Sequence, residues 1–138
     1  MTELLIAMLA VPVVDGAIKR VLRRRMVQEP LSLGAYGSIR IVRHQLWLSR
    51  IQPASLAATS ALLVLAVVPL FVLGVVVPSS AVFVGLAVGG ALSNWLEHAA
   101  RGSVSDYICL RFWPAFNLGD AAITVGAIGI ATTLWRLA

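Results

Sequence analysis

One cysteine, Cys109, is all that 138 residues contain, so no internal disulfide can form and no cysteine-based metal site is spelled out. Histidine occurs only as His44 and His98, and no glycine-rich phosphate loop is present. Zinc, haem and nucleotide chemistry therefore lack ligands or a cradle, and neither metal nor cofactor is expected. Charged residues are also scarce, at 12%, against 59% hydrophobic residues and a mean hydropathy of +0.91, values far from those of a soluble globule. The chain reads as a single integral membrane domain. Eight of its eleven lysines and arginines lie between Lys19 and Arg50. That clustering suits a segment at a membrane surface, with membrane lipids as partners, and not a nucleic-acid groove.

What is present is a series of long apolar runs. Residues 3–22 form a first helix long enough to cross when Leu4 to Val14 is continued through Asp15 and Lys19. A cleaved signal peptide is the rival reading, opposed by Glu3 where a basic region belongs and by Asp15 near the expected cleavage site. Residues 23–52 change character: Pro30, Gly34 and Gly37 punctuate them, and Ser38-Ile39-Arg40-Ile41 alternates as a strand does, predicting an interfacial hairpin with Leu31 to Leu33. A second helix is expected over 54–77, with Pro69 as a kink point, and a third over 81–98 after the turn Pro78-Ser79-Ser80, with Ser80 as its cap. Gly85 and Gly89 in the third helix have the spacing of close helix contacts. An interfacial loop over 99–117 carries Tyr107, Phe112, Trp113 and Phe116 at headgroup level, and a fourth helix occupies 118–137. The fold class is thus an all-α integral membrane protein of four transmembrane helices with a small β-hairpin after the first.

Two acids stand at the edges of these runs, Asp106 and Asp120, and segment counting puts them on one membrane face. An acid at a membrane boundary is costly unless paired or used. Neighbouring carboxylates tend to keep one proton between them, so one can activate water while the other protonates a leaving group. Each acid also has a plainer role. Asn117 and Asp120 have the spacing of a capping box, which is compatible with chemistry. Asp106 reads equally as a solvated loop residue, Glu97 and His98 as an interfacial helix end, and Asn94 as a hydrogen bond between helices. His98 with Ser103 or Ser105 lacks a nucleophile elbow. A transporter or channel finds no internal repeat or charge-lined pore.

The blocks Gly89-Gly90-Ala91-Leu92-Ser93-Asn94-Trp95-Leu96-Glu97-His98, Gly102-Ser103-Val104-Ser105-Asp106-Tyr107 and Phe116-Asn117-Leu118-Gly119-Asp120 resemble the signature blocks of signal peptidase II, approximately GGAxGNxxDR, GxVVDF and FPxFNxAD. The resemblance implies a membrane aspartic endopeptidase of the bacterial cytoplasmic (inner) membrane. It would cut a lipid-modified prolipoprotein before the lipidated cysteine, with Asp106 and Asp120 catalytic. Asn94 and Asn117 match supporting residues, with Glu97 and His98 as further candidates. Asp15 and Lys19 match the outer positions of the family's DQxTK as a structural pair, with Gly16 where the pattern has glutamine. Glu97-His98 replaces Asp-Arg, and the family's stretch after the hairpin is not recognisable in His44-Gln45-Leu46-Trp47-Leu48-Ser49-Arg50. These departures motivate an alternative, a catalytically altered member serving as a structural or binding subunit of a larger membrane complex. In the family's orientation ten basic residues lie outside and Arg136 alone inside, the reverse of the positive-inside rule.

Overall fold

The computed structural model describes residues 1–25, 30–44 and 56–138. Helix α1 covers Thr2–Arg25, strand β1 Leu31–Ser32, β2 Gly37–His44, helix α2 Leu56–Val76, α3 Ala81–Arg101, β3 Val104–Leu110 and α4 Leu118–Trp135. Residues 45–50, where the family's pattern after the hairpin is not recognisable, and the expected start of the second helix at 54 and 55 lie outside the described residues.

Among the described residues, three helices are long and apolar enough to cross a membrane, over Ala57–Val76, Pro78–Arg101 and Leu118–Trp135. Helix α1 has 24 residues but carries Asp15, Lys19 and three terminal arginines, which lower its hydropathy. The central helix is α3, half of whose span is buried against 6% for α2. It packs against α1, α2 and α4. Glycines set how closely. A Cβ on Gly85 would meet the Leu4 carbonyl at 2.5 Å, and one on Gly89 the Met8 carbonyl at 2.8 Å, so the predicted glycine pair is the seam between α3 and α1. Gly90 faces the Gly119 carbonyl of α4 in the same manner. The apolar core at one end joins Leu4, Ala81, Val84 and Val88 to Phe71, Leu73 and Ile130.

The predicted hairpin forms, with Leu31 opposite Ile39 and Ser32 opposite Ser38. It is part of a larger element, because β2 pairs on its other side with β3, giving a three-stranded antiparallel sheet in the order β1-β2-β3. Residues 104–110, expected in a loop, are thus a strand. The register shifts between Ile39–Ile108 and Val42–Asp106, where β2 spends one residue more than β3. On β3 this irregularity lies immediately after Asp106, and such bulges re-aim side chains. Two local expectations change. The third helix runs on to Arg101 and stops at Gly102, which adopts φ 70° and returns its N–H to the His98 carbonyl. Ser80 does not cap it; its hydroxyl donates to the Val77 carbonyl at 2.8 Å, closing the short 3₁₀ turn Pro78–Ser80. Helix α2 continues through Pro69.

Candidate active site

Strand β3 delivers Asp106 directly. After Leu110 the chain turns and Phe116 pairs back onto Ile108, with its N–H and carbonyl bonded to Ile108 at 3.1 and 2.9 Å. That return lays Asn117 beside Asp106 and starts α4 at the same point. Asn117 is fully buried and serves two purposes. Its side-chain oxygen accepts from the Asp120 N–H at 2.9 Å while its own N–H donates to Asp120 Oδ2 at 3.1 Å, the capping box expected from the spacing. Its amide nitrogen donates to Asp106 Oδ1 at 2.8 Å. One residue therefore holds both acids. From α3, Asn94 donates to Asp120 Oδ1 at 2.8 Å, so each oxygen of Asp120 receives a donor.

Asp106 is 6% exposed, which removes the reading of a solvated loop residue. Asn94 bonds between helices, as its plainer reading held, and the helix it reaches is the one carrying Asp120.

A second polar cluster stands behind the first. Lys19, 2% exposed, contacts Asp15 Oδ2 at 2.7 Å, Glu97 Oε2 at 2.9 Å and Asn94 Oδ1 at 3.3 Å. Three acceptors thus meet the three donors of an ammonium. Glu97 also takes Arg23 at 2.6 Å, the Ser105 hydroxyl at 2.6 Å and the Ser105 N–H at 3.0 Å. Asp15 accepts from Ser93 at 2.6 Å and from the Tyr107 hydroxyl at 3.0 Å. Two carboxylates are balanced by two cations, as burial of charge requires. Tyr107, expected at headgroup level, is buried here because its hydroxyl also accepts the Leu118 N–H at 3.0 Å, an orphan donor of the α4 first turn. Burial and the Asp15 charge push the Tyr107 hydroxyl well above the usual tyrosine range.

Asp106, Asp120, Asn94 and Asn117 are brought together. Asp15, Lys19 and Glu97 join them through the Lys19–Asn94 bond, whereas His98 bonds to none of them, and its Nδ1 is buried without a hydrogen-bond partner among the described residues. The sequence reading missed Arg23, Ser93, Ser105 and Tyr107. A signal existed for Arg23: Asp15, Lys19 and Arg23 recur every fourth residue and so share a helix face. Among the described residues no group of three or more His, Cys, Asp or Glu side chains could hold a metal ion.

Comparison with known proteins bears on this geometry. A family model described as signal peptidase (SPase) II matches residues 7–136. A lipoprotein signal peptidase of Halothermothrix orenii is 42% identical over 52 residues, 38% of this chain and 36% of its own length. One from Pseudomonas aeruginosa is 41% identical over 61 residues, 41% of this chain and 36% of its own. The aligned stretches span about a third of these curated relatives. A solved bacterial membrane enzyme superposes with TM-score 0.82 at 22% identity, covering 96% of this chain and 92% of that one. A second gives the same score at 21% identity, with 98% and 88% covered. At such identity the likeness is one of fold.

Proposed function

The chain belongs to the signal peptidase II family, and from that membership and the geometry of its acids we propose an aspartic endopeptidase of the bacterial inner membrane that removes signal peptides from lipid-modified prolipoproteins. The observation carrying this reading is that Asn117 hydrogen-bonds both Asp106 and Asp120, at 2.8 and 3.1 Å. Asn117 thus gathers both carboxyls at one place, where base and acid roles can be divided between them. The ionised member takes a proton from water as it attacks the scissile carbonyl, and the protonated member supplies one to the departing amine. Asn94 keeps Asp120 oriented. An apolar cleft of about 310 Å³ between Ala10 and Val14 of α1, Leu86 of α3 and Leu118, Ala121 and Val125 of α4 offers room for an acyl chain of the substrate.

The test is cleavage of a synthetic peptide bearing a diacylglyceryl-modified cysteine. Asp106→Asn and Asp120→Asn are each expected to lower the rate at least about a thousandfold while thermal unfolding in detergent stays cooperative. Asparagine at 120 can still accept the Asn117 N–H, so the helix start survives. Full activity in either variant would sink the mechanism. The subunit reading draws on His98, which replaces the family's arginine and whose Nδ1 is buried without a hydrogen-bond partner among the described residues. It is favoured if the wild-type protein leaves the peptide intact and co-purifies in fixed ratio with a larger membrane complex.

A further inference from the structure

A groove of about 230 Å³ follows the seam between α1 and α3, and neither Asp106 nor Asp120 lines it. Four cations, Lys19, Arg20, Arg23 and Arg101, line it against the single carboxylate of Glu97. Lys19 and Arg23 are committed to Glu97 at 2.9 and 2.6 Å. Arg20 and Arg101 are exposed and have no ion-pair partner among the described residues. The groove thus holds two guanidinium groups without a counter-ion among the described residues, and guanidinium groups match the oxygens of a phosphate. Besides Ser93 and Gly16, its remaining wall is apolar, formed by Pro12, Leu96 and Ala100. Leu96, 51% exposed, continues that wall onto the outer surface of α3, a helix apolar enough to cross a membrane. A ligand suited to both parts carries a phosphate and an acyl chain. Space for it exists at Gly16, where an added Cβ would meet nothing within 4 Å.

We propose that this groove binds the headgroup of an anionic glycerophospholipid, with Arg20 and Arg101 on the phosphate and an acyl chain along Leu96. Native mass spectrometry of the full chain in mild detergent, titrated with phosphatidylglycerol, phosphatidylcholine or inorganic phosphate, tests this. Phosphatidylglycerol is expected to bind in preference to the other two, with affinity falling roughly fivefold for each of Arg20→Gln and Arg101→Gln. Gly16→Leu is expected to abolish binding, since it fills the groove, keeps both arginines in the sequence and replaces a poor helix former in α1. Arg111→Gln, outside the groove, should leave affinity unchanged. Undiminished binding by Gly16→Leu would overturn the proposal. So would an equal loss in Arg111→Gln, which means charge alone, or phosphatidylcholine or inorganic phosphate binding as tightly as phosphatidylglycerol.

Discussion

Lys19 is the residue on which both polar clusters depend. Its contact with Asn94 Oδ1 turns the amide nitrogen toward Asp120, so a side chain on α1 sets the orientation of a group on α3 that holds an acid on α4. Among the described residues, Lys19→Met removes the one cation paired with Asp15 and leaves Arg23 as the cation on Glu97. Breaking a buried ion pair from one side costs about 3–5 kcal/mol, so unfolding in detergent is expected at markedly lower temperature than for wild type. Tyr107 makes a pH prediction. With its hydroxyl pushed above the ordinary value of 10.0, the folded protein keeps a proton that the unfolded chain releases. Its contribution is therefore complete below about pH 10 and is lost as pH rises beyond it. Thermal melts across alkaline pH should show that fall in wild type and a smaller one in Tyr107→Phe, which at neutral pH is already weakened by the unsatisfied Leu118 N–H.

At the scale of elements, Gly102 determines where α3 gives way to β3. Its φ of 70° strains any residue with a Cβ, although open space surrounds it. Gly102→Ala should therefore cost about 1–2 kcal/mol in a melting experiment, and Gly102→Asn less, because asparagine tolerates that region. The helices were legible because lipid-facing surface leaves uninterrupted apolar runs, as at Leu62 to Val68 of α2. Strand β3 was not. Val104, Ser105, Asp106 and Tyr107 are all buried, so the alternation of apolar and polar side chains that marks a half-exposed strand never develops. The hairpin was readable because Ser38 to Ile41 does alternate, yet its second partner lies sixty or more residues away in sequence, beyond local pattern. In the same way the capping box was visible in Asn117 and Asp120, separated by three positions. The bond from Asn117 to Asp106 needed the return of Phe116 onto Ile108.

Across the whole molecule the usual distribution is inverted on α1. Asp15 and Lys19 are enclosed while Ile6, Leu9 and Val13 are exposed, so the helix offers lipid an apolar surface and hides its charges among its neighbours. In a Cys109→Ser background, single cysteines at Ile6, Leu9 and Val13 are expected to resist a water-soluble maleimide in intact membranes, and one at Arg25 to react. Labelling of all four at equal rates would mean that α1 lies outside the bilayer. Asp120 depends on the helix that carries it. It takes its place only when the backbone enters α4 at Asn117, and the same amide then reaches Asp106. A ribosome-bound chain halted short of Asn117 holds one acid without the other. Winding α4 and bringing the two acids onto one asparagine are thus a single event, set by the order of synthesis.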